Sequence, residues 1–394
     1  MKKIFTLFIS MLCLLLISQS QPADNPMPYF TFGKGVGITP RDSIYSLNIR
    51  FRMQNRVGMN TVSDENLSVK DYEMIVRRLR LRLDGFVYSP KFAYAIQFSF
   101  SRGDMDWDVT QYPNIVRDAM FFYKPNSHFT IGIGQGKLPG NRQRIISSGD
   151  LQFADRTAVN ALFTNDRDYG IQFYYDNHIG KVQYLLRGAV SNGEGRNVAK
   201  SDYGLMYSSR IEIQPLGKFT NGGDYFEGDL AREKKLKLSI AGHYAYNEHT
   251  NRTGGTLGPT LFGRADYKNY GVDALCKYNG FAISGELMKR TSPNPLTIST
   301  DGKTRRYIYT GVGYYSDLTY LFKSNWMLGG RFSNNIPSES AKQYEKQVKQ
   351  YAFVAGKFIR GHRLKLQTDV TYNEVIGLGR TNAWQVRFQL EMGI

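Results

Sequence analysis

Apolar and polar residues alternate along most of this chain, and the pattern is sharpest over residues 74–88. There Leu79, Leu81 and Leu83 alternate with Arg78, Arg80 and Arg82. In a β-strand successive side chains point to opposite faces, so one face is a row of leucines and the other a row of guanidinium groups. A helix would scatter both types around its axis. In a soluble protein such an arginine row is a solvated face. In a membrane barrel the leucines meet lipid and the arginines meet a water-filled pore. The strand alone leaves both readings open.

The same period predicts a strand at 45–53. Tyr45, Leu47, Ile49, Phe51 and Met53 share one face, and Ser46, Asn48, Arg50 and Arg52 the other, which continues to Gln54 and Arg56. It also predicts strands at 92–101, 116–124, 129–135, 169–175, 182–190, 203–213 and 235–246. Further strands are expected at 267–278, 281–289, 306–315, 325–332, 348–358, 363–372 and 382–394, making sixteen. In the last, Trp384, Val386, Phe388, Leu390, Met392 and Ile394 alternate with Gln385, Arg387, Gln389, Glu391 and Gly393.

Connections are short at one end (89–91, 125–127, 176–180, 279–280, 359–362) and longer at the other (60–73, 102–115, 137–168, 191–202, 248–265, 290–305, 333–347). Short turns on one side and long loops on the other are the habit of outer-membrane barrels. Asn279-Gly280 is a two-residue hairpin signal. Residues 214–234 break the rule: they make a long connection at the short-turn end, read here as a tolerated insertion.

Composition supports the barrel. The 394 residues are 41% hydrophobic, and 27 Tyr and 24 Phe raise the aromatic share to 14%. These types favour strands and membrane interfaces. Residues 1–20 read as a secretory signal peptide: Lys2 and Lys3, an apolar run from Ile4 to Ile17, then Ser18-Gln19-Ser20. Residues 21–42 form a Gly/Pro-rich lead-in, and 43–394 the barrel. After residue 20 no apolar run approaches the roughly 20 residues that a spanning helix needs. Removal of the leader takes Cys13 away, leaving Cys276 alone and hence no intramolecular disulfide. It also lowers the net charge only from +17 to +15. In an exported chain that charge points to anionic solutes or an anionic surface, not to nucleic acid.

The pleat then places Arg50, Arg52, Arg56, Arg78, Arg80 and Arg82 in the lumen on two neighbouring strands, as a candidate anion pathway. Rungs on one strand are about 6.6–6.8 Å apart, close enough for an anion to step between them. A guanidinium is always charged and its fork suits phosphate or carboxylate. Several moderate sites serve conduction better than one deep well. Lys235, Lys237, Arg363, Lys365 and Arg387 add either a diffuse positive field or partners for lipid headgroups. The aperiodic segment 137–166 is long enough to fold inward, and it makes Lys137, Arg142, Arg144, Arg156 and Arg167 candidates for a constriction. Asp150, Asp155 and Asp166 could pair with these residues and simply hold the loop.

Enzyme signals are poor. His128, His178, His243, His249 and His362 are scattered, with no metal-ligand spacing, and no cofactor motif is complete. The stretch Asp104-Met105-Asp106-Trp107-Asp108 starts like a calcium loop but has Val109 and Ile115 where Gly and Glu belong. The glycines of Gly132-Ile133-Gly134-Gln135-Gly136 lie in a strand without the helix a dinucleotide site needs.

Arg77-Arg78-Leu79-Arg80 with Gly85 and Tyr88 resembles the phosphate-selective porin O and P family, as does Gly134-Gln135-Gly136-Lys137 running into Arg156 and Arg167-Asp168-Tyr169-Gly170. The resemblance extends over nearly the whole chain after the leader. It implies a homotrimer in the outer membrane of a Gram-negative bacterium, with the third loop folded into each channel and basic residues lining it. The expected fold is therefore all-β: a 16-stranded antiparallel transmembrane β-barrel with long outer loops and an inward-folded third loop. The expected function is a porin for small anions, with phosphate as the candidate solute. A general or sugar-taking porin, and a plugged barrel used as a surface scaffold or adhesin, remain the alternatives.

Overall fold

The computed structural model describes residues 35–40, 44–105, 113–198, 204–377, 379 and 381–394. The expected leader, most of the lead-in, and Asp106 to Asp108 of the calcium-like stretch lie outside these. The strands are β1 (Val36–Ile38), β2 (Tyr45–Thr61), β3 (Val69–Val87), β4 (Ser89–Ser99), β5 (Val116–Tyr123), β6 (Phe129–Lys137) and β7 (Arg167–Ile179). They continue as β8 (Val182–Ser191), β9 (Met206–Gln214), β10 (Lys237–Arg252), β11 (Thr260–Tyr278), β12 (Phe281–Thr291), β13 (Leu296–Ile298) and β14 (Arg305–Tyr307). The last five are β15 (Gly311–Leu321), β16 (Trp326–Pro337), β17 (Gln347–Phe358), β18 (Leu364–Ile376) and β19 (Ala383–Gly393).

Sixteen of these, β2 to β12 and β15 to β19, form one antiparallel sheet in chain order. It closes where β19 pairs with β2, from Gln385↔Asn60 to Gly393↔Arg52. Closure leaves no unpaired edge, which is what lets a sheet sit in lipid. β1 extends β19's side of β2, pairing Val36↔Ile49 and Ile38↔Leu47. β13 and β14 make a small separate hairpin in the loop after β12.

The two faces separate as the alternation demands. Leu79 on β3 is 36% exposed on the outside, whereas Arg78 and Arg80 are buried inside. Ile211, Val272, Leu318, Phe353 and Phe388 are likewise exposed on the outer wall. Aromatic belts mark both rims. At the long-loop end Phe332, Tyr351, Tyr372 and Trp384 form a chain of neighbouring rings at 4.9–6.3 Å. At the short-turn end Phe281, Tyr320 and Phe322 sit 4.5 and 4.9 Å apart. Amphipathic rings favour these two interfaces.

One strand differs from the sequence expectation. The strand read at 306–315 is split: Arg305–Tyr307 belongs to the loop hairpin, and the barrel strand starts at Gly311. The inward positions there are Gly311 and Gly313, which carry no polarity to mark a face. The glycine at 313 is required for packing. A Cβ there would approach the Phe163 ring to 2.6 Å and Val159 to 2.9 Å.

Those two residues belong to the third loop, residues 138–166, which folds into the lumen. It contains two short helices, α1 (Arg142–Ile145) and α2 (Ala158–Phe163). Thr157 caps α2 by accepting the Asn160 N–H at 3.1 Å. Val159 and Phe163 pack on Met288, Tyr309 and Tyr315 of the wall. Ile145 packs on Ala93, Ala95, Met120 and Phe122, and Phe153 on Leu321, Met327, Val354 and Phe358. The small inward alanines leave room for the loop.

The insertion at the short-turn end also has a place. Residues 215–236 fold up into the barrel beneath the third loop. Glu227 donates its N–H to Asp150 O at 2.8 Å, and its carboxylate accepts the Gln152 N–H at 2.9 Å. Lys277 Nζ holds the carbonyls of Gly223 and Phe226 at 2.6 and 2.8 Å. Asp224 lies in this segment, and burial together with the Glu212 charge pushes its carboxyl up to about 6. Arg142, which donates to the Asp224 carbonyl, and Gln214 are its other polar neighbours. A raised acid costs stability above its folded value, and the cost disappears below its ordinary value of 3.8. Asp224→Asn is therefore expected to unfold at a higher temperature than the native chain at pH 7. The gap should narrow as pH falls through 6 and vanish below about 4, which heat-unfolding in detergent across pH reads directly.

Candidate functional site

The β2–β3 register sets Arg50 opposite Arg82, Arg52 opposite Arg80, and Gln54 opposite Arg78. Like charges directly opposite repel, so they persist only with counter-charges placed among them. Acids do this, Glu391 for Arg52 at 3.7 Å and three others for its neighbours. Asp84 lies with Arg50 and, at 3.3 Å, with Arg82 Nε. Asp104 accepts from Arg80 Nε at 2.9 Å and pairs with Arg117 at 3.0 Å. Asp155, from the third loop, meets Arg56 at 3.1 Å and Arg77 and Arg78 at 3.0 Å.

Two of those partners, Arg77 and Arg117, were not placed in the lumen by alternation. Each lies at a β-bulge. The β2–β3 register jumps from Gln54↔Arg78 to Asn55↔Val76, skipping Arg77. The β4–β5 register jumps from Gln97↔Asp118 to Phe98↔Val116, skipping Arg117. A bulge puts two successive residues on one side of the strand. Hence Arg77 and Arg78, and Arg117 and Asp118, all face inward. The charged doublets Arg77-Arg78 and Arg117-Asp118 are the signal for this, since strict alternation would put one of each pair in lipid at a cost of kilocalories.

Three cavities that share lining residues lie along this wall. The outer one, about 420 Å³, is lined by Arg77, Arg78, Arg144, Asp155, Arg156, Arg331 and Arg387 among others. The middle one is the smallest of the three, about 200 Å³. Ten basic residues line it, Arg77, Arg78, Arg80, Arg82, Arg117, Lys137, Arg144, Arg156, Arg167 and Arg196, against Asp104, Asp118 and Asp166. The inner one, about 600 Å³, is bounded by Arg50, Arg52, Arg80, Arg82 and the segment 220–233. Arg77, Arg78, Arg144 and Arg156 are shared by the outer and middle spaces, and Arg80 and Arg82 by the middle and inner ones.

Of the residues singled out in the sequence, Arg50, Arg52, Arg78, Arg80 and Arg82 line these cavities, as do Lys137, Arg144, Arg156 and Arg167. Two lie elsewhere. Arg56 braces the third loop, donating to Ala154 O at 2.8 Å and to Gln389 at 2.9 Å. Arg142 was expected at the constriction. It is buried against the far wall instead, on Asp273 and Ser239 at 2.7 Å each. The helical turn of α1 points it away from Arg144, two positions on. Arg196, from the loop after β8, also lines the middle cavity, and no periodicity marks it.

The third loop touches the arginines with hydroxyl groups. Ser148 Oγ accepts from Arg52 at 2.8 Å and from Arg80 at 2.9 Å, and Ser147 Oγ from Arg52 at 3.1 Å. Lys365 Nζ holds the carbonyls of Gly149 and Leu151 from the other side at 2.9 and 2.6 Å. Arg144 and Arg167 share Asp166, and Arg167 also takes Asp118 at 2.7 Å. The loop acids thus hold guanidiniums in place while the basic groups remain in excess. Neutralising Asp155 removes the counter-charge common to Arg56, Arg77 and Arg78. Asp155→Asn is expected to raise the chloride-over-potassium permeability ratio by roughly fivefold, since one charge met through water at contact is worth about 1 kcal/mol. A zero-current potential in a KCl gradient measures it.

The family model described as phosphate-selective porin O and P matches residues 47–345. No curated protein matches the chain. Among solved structures, a loop-L8 deletion mutant of OmpT, an outer membrane protein of Vibrio cholerae, is similar at 12% identity and a TM-score of 0.54, covering 88% of this chain and 99% of that one. The anion-selective porin from Comamonas acidovorans is similar at 12% identity and 0.54, covering 89% and 100%. Pseudomonas putida OprB, at 9% identity, gives 0.56 and covers 88% and 94%. At these identities the likeness is one of fold.

Proposed function

Because the chain belongs to the phosphate-selective porin O and P family, and is thus a β-barrel channel of the outer membrane, we propose that it carries small anions by passive diffusion, with phosphate as the first candidate solute. In this reading residues 1–20 are a leader removed on export, 21–42 a lead-in, and three copies assemble side by side in the membrane. The channel has no reaction to catalyse and needs no cofactor.

One observation carries the proposal: the middle cavity, the smallest of the three at about 200 Å³, is bordered by ten cationic side chains and three acids. Anions can pass from Arg78 to Arg80 and Arg82 without leaving positive charge, because these arginines are shared between successive spaces. No rung is a closed cage, since each guanidinium already spends part of its donor set on Asp84, Asp104, Asp155 or Ser148. Partial occupation keeps each site moderate, as conduction requires.

The test is chloride current through single channels, titrated with phosphate and with neutral sugars. Block by micromolar phosphate, with no effect of sugar, is the expected result. Block by sugars but not by phosphate would favour a general solute porin. Absence of current would favour a plugged scaffold.

A further inference from the structure

We propose that the inner cavity is a binding site for carboxylates that carry a flat apolar body, such as aryl carboxylates, and that these dwell longer in the channel than inorganic anions do. The inference rests on the anion-path reading above and adds a substrate class to it.

The cavity has two unlike sides. Arg52, Arg80 and Arg82 border one, together with Asp150 and with Glu391, which pairs with Arg52 at 3.7 Å, and Tyr225, Phe226 and Leu230 of the inward segment border the other. The apolar side is fixed in position. The Phe226 ring stacks on His362 at 5.8 Å and 19°. Tyr225 packs against the cluster of Ile145 and Phe122, and Leu230 against that of Phe153 and Phe358. Lys277 holds the backbone on either side of Tyr225, through Gly223 and Phe226.

The acids of the segment are engaged locally. Asp229 accepts the N–H groups of Gly280 at 2.8 Å and Glu233 at 3.0 Å. Glu233 accepts from the Thr220 N–H and hydroxyl at 2.6 and 2.8 Å. They are thereby tied to their own segment.

A phosphate or chloride ion can use only the guanidinium side. An aryl carboxylate can place its two oxygens on a guanidinium fork and its ring against Phe226 and Tyr225. The space, about 600 Å³, accommodates such a molecule with water beside it. Among the described residues the middle cavity has no aromatic side chain in its lining, and in the outer one the Phe153 ring is covered by Arg331 at 3.8 Å, so the discrimination belongs to the inner half. The short-turn end of an outer-membrane barrel faces the periplasm, so the site lies on the exit side for inward movement.

The test compares benzoate, acetate and phosphate as blockers of chloride current, added on the periplasmic side of single channels. Native protein is compared with Tyr225→Ser/Phe226→Ser. In the native channel benzoate is expected to reach half-block at about tenfold lower concentration than acetate, as removing roughly 60 Å² of ring surface from water implies. In the double variant benzoate should fall to the acetate level, while acetate block and chloride preference stay as they were. Equal block by benzoate and acetate in the native channel would overturn the proposal, and this comparison needs no variant to fold. An undiminished benzoate advantage in the variant would overturn it as well. Either result with chloride preference intact leaves the anion path standing, whereas loss of chloride preference in the native channel removes both.

Discussion

Arg78→Gln/Arg80→Gln/Arg82→Gln is expected to remove most of the channel's preference for anions. These three residues border the small middle cavity. Their removal takes three positive charges from it and leaves the carboxylates of Asp155 and Asp104 short of partners. Each charge met across water at contact is worth about 1 kcal/mol, so the chloride-to-potassium permeability ratio should fall by roughly a hundredfold. Glutamine is shorter but keeps a hydrogen-bonding end, and the outward leucines are untouched, so the barrel should still insert. The seven other cations of the middle cavity keep the selectivity from reversing, although several already face acids: Arg117 is on Asp104, and Arg144 and Arg167 are on Asp166. An unchanged ratio would mean that these arginines only hold the third loop.

Replacing residues 143–163 by a short glycine–serine link should raise single-channel conductance severalfold. This segment crosses the lumen and separates the three spaces, filling the barrel with Ile145, Phe153, Val159 and Phe163. The barrel wall is held by its own strand ladders, from β2 round to β19, and does not depend on the loop for closure. Selectivity should fall at the same time, since Arg144 and Arg156 leave with the segment and the remaining arginines face a wider, more hydrated space where charge acts more weakly. Arg142 stays in this variant, so Asp273 keeps both its guanidinium partners. An unchanged conductance would place the limiting constriction elsewhere, with the inward segment 215–236 as the obvious site.

Much of the architecture was legible because the two sides of a barrel wall face different solvents. Leu79 against Arg80, or Phe388 against Gln389, declares the side of each residue, and sixteen such stretches with alternating short and long connections leave little choice of fold. Legibility failed where alternation carries no information. At Gly311 and Gly313 the inner face has no side chain to be polar, so a strand was placed several residues early. At Arg77 and Arg117 a bulge reverses the parity, and two lumen cations went unplaced. Loops have no period at all. Arg142 and Arg144 are two residues apart in one turn, and nothing in their spacing says that one turns to Asp273 and the other to Asp166. The connection 214–234 reads in sequence only as a tolerated insertion. Its partners, Lys277, Gln152 and Asp150, are distant in sequence, and only the folded chain brings them together.

The most direct measurement is the zero-current potential of the native channel in a planar bilayer across a KCl gradient. A potential whose sign follows chloride, and which shrinks when phosphate is added, is the expected result. A potential that follows potassium would contradict an anion path along Arg78, Arg80 and Arg82.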